Sequence, residues 1–286
     1  MRIITDFDGV LTAQDAEAAA VGERLLERVT EAMGGATNRA YALVSGLRAE
    51  VRANPATHGW FSGDEIACYA DEDPYVFNNA VARAIYVQGP AEVREKLRAQ
   101  GFDTHDAFAK ACFDEGTERW RAANPSQVLE EALGAIQTFF SAGAEIVIVS
   151  NSSPSRIEAI LAPSKILRWG TGKIRIRGEA KKNVVTGDRP RCLPPHEDFG
   201  GRKVLLRRGP LFDILNDERP DVVIGDVLSL DVALPAALRA HDPDYEEMDV
   251  VLKRAAHTPK WALEACAVRG IHVVDSIAQL PALLRV

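Results

Sequence analysis

Histidine, cysteine and contiguous positive charge are all scarce in this chain, and each scarcity removes a class of function. The 4 cysteines, Cys68, Cys112, Cys192 and Cys266, lie far apart and never form a C-x-x-C pair. Neither a zinc site nor a disulfide framework is indicated, and free thiols in a reducing compartment are the simplest reading. The 6 histidines show no HxH or HxxxH spacing, so a transition-metal site is not expected. No Lys/Arg-rich block accompanies the formal net charge of -7, which argues against a nucleic-acid or anionic-membrane partner. An anionic substrate would need a local basic pocket. No apolar run approaches the ~20 residues of a membrane span. The chain enters a strand at once, with no charged n-region followed by an apolar h-region. The expectations are therefore no membrane partner and a cytoplasmic location.

What is present is ordinary soluble composition, 47% hydrophobic and 26% charged, over 286 residues. That length predicts two domains or one domain with a large insertion. Apolar runs that end in polar residues recur as "RIITDFD", "EIVIVSNS", "DVVIGD" and "IHVVDS", and their Val/Ile-rich centres suit parallel strands buried on both faces. Between them lie helical patterns. Over residues 127–140, Val128, Leu129, Ala132, Leu133, Ile136, Phe139 and Phe140 recur at helical spacing. Asn124, Pro125 and Gln127 supply the expected N-cap, first helical position and capping box, and Gly143 the expected stop. Alternating strands and helices predict a Rossmann-like, doubly wound parallel α/β sheet, whose crevice lies beyond the carboxyl ends of its strands.

The segment of about 110 residues between the first strand and the helix near residue 125 is far longer than a βα connection needs. It holds 11 of the 19 aromatic residues, enough for its own core, and it reads as helical: Val21, Leu25, Val29 and Met33 share one face, and "RAYALVSGLRAEV", "NNAVARAIYV" and "AFAKACFDEGTERW" continue the pattern. The expected division is a core of residues 1–14 and 126–286 with an inserted helical domain, 15–125. Residues 71–74 read as a solvated loop, and His272 as packed in the last strand. A second departure, between Lys173 and Arg208, reads as an edge strand, "KIRIRG", followed by a hairpin in which "NVV" and "KVLLRR" flank a Pro-rich stretch.

In the stretch Ile4–Thr12, "ITDFDGVLT", Asp6 and Asp8 stand two positions apart and so face the same way on an extended chain. Such carboxylates repel unless a cation sits between them. Mg²⁺ suits hard oxygen ligands and leaves room for water and phosphate oxygens, and a strand-end Asp is also able to act as a nucleophile. Alone, a DxD is an ordinary strand-to-turn junction bent at Gly9. Here "GDVLSLD" adds Asp226 at a second strand end and Asp231 near the next helix, where Asp231 or Ser229 would also serve as an N-cap. "VIVSNSS" adds Ser150 and Asn151 before a helix expected near Pro154, a place for a phosphate oxygen or a simple ST-turn.

These motifs resemble those of the haloacid dehalogenase (HAD) superfamily of Mg²⁺-dependent phosphohydrolases. "DFDGVL" is similar to the first motif, Ser150 to the second and "GDVLSLD" to the fourth. The resemblance implies that Asp6 attacks phosphorus, Asp8 acts as acid and base, and Ser150 holds the phosphoryl group. It also implies Mg²⁺ on Asp6, the Asp8 carbonyl and Asp226, with Asp231 acting directly or through water. The presence of Asp8 implies phosphoryl transfer rather than carbon–halogen cleavage, and the inserted domain resembles a mobile C1 cap.

The third motif, a Lys that neutralises nucleophile and phosphate, is the blurred one. Lys182 ranks first, Lys181 beside it, with Arg208 as rival and phosphate ligand and Lys203 third; each also reads as a solvated surface charge. The expected activity is a phosphomonoesterase acting on a small phosphorylated metabolite. A phosphomutase and a catalytically weak binding or regulatory protein are the alternatives.

Overall fold

Ile3, Ile4 and Thr5 are all buried, as a strand covered on both faces requires. The computed structural model describes residues 1–125, 127–164, 166–169 and 172–285. Its strands are, in chain order, Arg2–Thr5 (β1), Gly59–Ser62 (β2), Glu65–Tyr69 (β3), Glu145–Val149 (β4), Ile174–Arg177 (β5), His196–Phe199 (β6), Arg202–Leu205 (β7), Val222–Gly225 (β8), Asp249–Lys253 (β9) and His272–Val274 (β10). The chain divides into two compact units: Met1–Ala13, Ser62–Ala67 and Pro125 onward form one, Gln14–Phe61 and Cys68–Asn124 the other. The boundary expected at residue 126 lies outside the described residues.

The first unit is a doubly wound α/β fold. Its sheet runs β10-β9-β8-β1-β4-β5 with every neighbouring pair parallel. Alternation sends successive side chains to opposite faces. Ile3, Ile146, Ile148 and Ile224 pack with Ile136 and Phe139 of helix Glu130–Ser141 and with Ile157 of helix Pro154–Leu161. Ile4, Val147, Val223 and Leu252 pack on the other face with Leu211 and Leu215 of helix Gly209–Glu218 and with Leu234 and Leu238 of helix Ala233–His241. From β1 the sheet grows outward to β4 and β5, then resumes on the opposite side with β8. The order reverses at β1, and a crevice opens beyond the carboxyl ends at such a switch point.

Several expectations are corrected. Helix 127–140 begins later, at Glu130, with Leu129 as N-cap and no side-chain cap. Val128 instead bridges Thr12, and the Leu129 amide donates to the Leu11 carbonyl at 3.0 Å. Asn124 ends the preceding helix, its Nδ2 donating to the Trp120 carbonyl. The edge strand is β5, parallel to β4, but "NVV" is no strand. The hairpin partner of β7 is β6, "HEDF", with antiparallel pairing. His272 is exposed on the edge strand β10.

The second unit is mostly helical: Asp15–Ala32, Thr37–Ala53, Pro74–Gln88, Ala91–Ala99 and His105–Ala123. Its core joins Val21, Leu25, Val44, Val81, Ile85 and Phe108. The all-helical expectation for 15–125 misses β2 and β3, which pair with each other around a turn with Gly63 at φ 62°. Nor is the 71–74 stretch solvated throughout: Glu72 and Asp73 are buried. The Asp73 carboxylate caps the helix that opens at Pro74, accepting from the Val76 amide at 2.8 Å, and Glu72 accepts from the Tyr69 amide at 3.0 Å. Backbone donors at a helix start recruit an acid such as Asp73. Arg83 lies over the Phe61 ring at 4.0 Å, a packing contact. Among the described residues no helix is long and apolar enough to cross a membrane.

Candidate active site

Asp6 follows β1 directly, and its amide donates to the Ile224 carbonyl of β8 at 2.9 Å, which pins it at the switch point. The chain then turns. Phe7 is fully buried, Gly9 takes φ 79°, a conformation that favours glycine, and the buried Lys253 at the end of β9 donates to the Gly9 carbonyl at 2.8 Å.

Asp6, Asp226 and Asp231, from the ends of β1 and β8 and the turn beyond, bring carboxylate oxygens within 4.8 Å of one another. The Lys182 ammonium lies 2.7 Å from Asp6 Oδ1 and 2.6 Å from Asp231 Oδ1. The other Asp231 oxygen accepts from the Val227 amide at 3.1 Å. Asp231 thus folds back within the wide π turn Leu228–Val232 and does not cap the following helix. A Cβ on Gly225 would stand 2.1 Å from the Asp231 Cβ, so this turn closes only over glycine.

Burial pushes the Asp6 carboxyl up to about 8, against the attraction of Lys182 and with the help of Asp231 and Asp8. Lys182 is driven upward by the carboxylates of Asp231 and Asp6 in spite of its burial, so it is the permanent cation of the group. Three carboxylates and one ammonium leave two negative charges when all are ionised. Burial makes that excess unfavourable without a cation. Hard oxygens with no nitrogen or sulfur donor are the ligands Mg²⁺ takes, so the residues fit such an ion.

The Asp8 carboxylate stands outside that cluster of Asp6, Asp226 and Asp231. Arg156 Nη1 approaches its two oxygens at 3.0 and 3.1 Å, and Ser152 Oγ donates to it at 2.9 Å.

Ser150 and Asn151 directly follow β4 and are laced to the loop that carries Lys182. The Ala180 amide donates to the Ser150 carbonyl at 2.9 Å and the Glu179 amide to the Ser152 carbonyl at 2.9 Å. Asn151 Oδ1 accepts from the Lys182 amide at 2.8 Å, and Ser150 Oγ accepts from the Ser152 amide at 3.0 Å. Glu179 and Lys181 adopt φ 52° and 49°, a strained conformation for non-glycine residues that persists only where surrounding contacts enforce it.

Of the basic candidates, Lys181 is exposed and Lys203 pairs with Glu65. Arg208 is corrected as a phosphate ligand: it is fully buried, and its guanidinium donates to the carbonyls of Leu205, Lys182 and Ala67. It holds the loop that carries Lys182. Arg156, Ser152 and Lys253 escaped the sequence reading. The one signal available was an Arg in the first turn of a helix, where the dipole disfavours a cation.

No family model matches the chain, and no curated protein matches it. Among solved structures it is similar to a HAD phosphatase from Thermococcus onnurineus, at 12% identity and TM-score 0.48 over 99% of this chain and 97% of that one. YfnB from Bacillus subtilis bound to magnesium gives 12% and 0.47 over 100% and 98%. L-2-haloacid dehalogenase from Xanthobacter autotrophicus gives 12% and 0.41 over 99% and 98%. Identities this low distinguish no chemistry among a phosphatase, a magnesium-bound protein and a dehalogenase.

Proposed function

We propose that the chain is a Mg²⁺-dependent phosphomonoesterase of the HAD type acting on a small phosphorylated metabolite. The observation that carries this reading is Lys182 bridging Asp6 and Asp231 at the switch point of the sheet, beside Asp226. An ammonium between a nucleophile and a second carboxylate is what an incoming phosphate dianion requires. Asp6, Asp226 and the Asp8 carbonyl would hold Mg²⁺, with Asp231 orienting Lys182 beside it. When bound, the ion supplies charge neutralisation at the phosphoryl oxygens.

In this mechanism an Asp6 oxygen forms a bond to phosphorus as the bond to the ester oxygen breaks, and Asp8 gives that oxygen its proton. Water then attacks the aspartyl-phosphate and yields its proton to Asp8. The bond to Asp6 breaks, and the alcohol and inorganic phosphate are the products. Ser150 and Asn151 donate to the phosphoryl oxygens, while Lys182 balances their charge. The helical unit, inserted in sequence between these carboxylates and Ser150, is the part assigned to substrate selection.

Phosphate release from a panel of phosphorylated metabolites and from p-nitrophenyl phosphate tests the reading. Turnover is expected with Mg²⁺, and its loss with chelator and in Asp6→Asn. Undiminished activity in that variant would overturn it.

A further inference from the structure

Arg156 occupies the first turn of helix Pro154–Leu161, where the partial positive charge of the helix end makes a cation unfavourable. Its side chain is nevertheless withdrawn from solvent, 9% exposed, and its guanidinium is turned onto Asp8, 148 positions away in sequence. Nη1 lies 3.0 and 3.1 Å from the two carboxylate oxygens. Ser152 Oγ donates to Asp8 Oδ2 at 2.9 Å and itself touches Arg156 Nη1, so serine, arginine and aspartate close a small ring.

The backbone beneath that ring is fixed. Ser153 Oγ accepts from the Arg156 amide at 3.3 Å, and the Ser152 carbonyl accepts from the Glu179 amide at 2.9 Å. A Cβ on Gly178 would come within 2.7 Å of the Ser152 carbonyl oxygen and 2.6 Å of the Pro154 nitrogen. The helix start is therefore packed against the loop that leads to Lys182. The two carboxylates of the DxD are thus held apart by different cations: Asp6 by Lys182 and Asp8 by Arg156. A group that must move a proton to one oxygen and later take one from water needs a fixed orientation, because misplacement by about 1 Å costs about a hundredfold in rate.

Resting on the phosphatase reading above, we propose that Arg156 and Ser152 are positioning residues for Asp8, holding its carboxylate in the orientation from which it serves the leaving oxygen and the attacking water. They act through Asp8 and touch neither phosphorus nor the ester.

Rapid mixing of the full chain, loaded with Mg²⁺, against p-nitrophenyl phosphate separates the two half-reactions. p-Nitrophenolate leaves without needing a proton, so transfer to Asp6 makes little demand on Asp8. Hydrolysis of the aspartyl-phosphate needs Asp8 to take a proton from water. Arg156→Ala is expected to release about one equivalent of p-nitrophenolate per site and then turn over about a hundredfold more slowly than wild type. Arg156→Lys, which keeps a donor and its charge, should recover about tenfold of that loss, and Ser152→Ala should lose less than Arg156→Ala. Turnover of Arg156→Ala within about twofold of wild type would overturn the proposal. So would an equal fall in the initial release and in steady turnover, or an Arg156→Lys variant no better than alanine. A wild-type chain that releases phosphate from no ester under Mg²⁺ would overturn the phosphatase reading itself, and this assignment with it.

Discussion

At Asp6 burial outweighs the attraction of Lys182, and the proton it keeps has a measurable consequence. The folded-state pKa of about 8 stands above the ordinary 3.8. The stability conferred by holding that proton is complete below about pH 4 and is lost as pH rises through about 8. Lys182, driven upward, contributes unchanged over this range. In chelator, the melting temperature should therefore fall between pH 6 and 9. A cation must displace the proton, so Mg²⁺ affinity should rise up to about tenfold per pH unit below 8 and flatten above it. Calorimetric titration in buffers of different ionisation enthalpy would register the released proton; an affinity independent of pH between 6 and 8 would contradict the burial argument. Lys182→Met tests the other half of the pair. It leaves Asp6 and Asp231 facing each other without their ammonium, and removing one partner of a buried pair costs about 3–5 kcal/mol. Urea unfolding in chelator at pH 7 should show most of that loss, with part of it restored by Mg²⁺.

At the scale of elements, the turn from β8 into Leu228–Val232 is the most tightly specified piece of the site, because the Asp231 side chain lies where any side chain at position 225 would go. Gly225→Ala should lower stability by about 1–3 kcal/mol as overpacking and should displace Asp231 from Lys182. Gly134→Ala is the counterpart. Residue 134 is exposed in helix Glu130–Ser141 with nothing within 4 Å of an added Cβ, and alanine there should raise stability by about 1 kcal/mol. Denaturation midpoints of the two variants should move in opposite directions. Elements such as β1, β4 and β8 were legible in the sequence because strands buried on both faces read as unbroken Val/Ile runs, and the acids after β1 and β8 stood out against them. The start of helix Glu130–Ser141 was not, because a bridge between Val128 and Thr12 overrides a local cap signal. β9, "DVVLK", carries the same signature, whereas β2 and β3 are strands of only 4 and 5 residues lying between stretches of helical spacing. The contact of Arg156 with Asp8, and the turning of Arg208 onto backbone carbonyls, are tertiary facts that no spacing encodes.

At the scale of the whole molecule, the chain builds two separate hydrophobic systems. The sheet unit has a core on each face of β1, β4 and β8, and the helical unit has one around Leu25, Val81 and Phe108. The carboxylates of the cluster, Asp6, Asp226 and Asp231, all belong to the sheet unit. A ligand stabilises the structure that binds it, by about 2.7 kcal/mol at a hundredfold excess over its Kd, and local opening reports that gain only where the binding residues are part of the opening unit. Hydrogen exchange with and without Mg²⁺ should therefore slow at residues 4–12, 178–183 and 224–232 while leaving helices Thr37–Ala53 and Ala91–Ala99 unchanged. Equal slowing in both sets would mean that the two cores open as one cooperative unit. No slowing at 224–232 would mean that the cation does not sit on Asp226, and would remove the metal from the proposed chemistry.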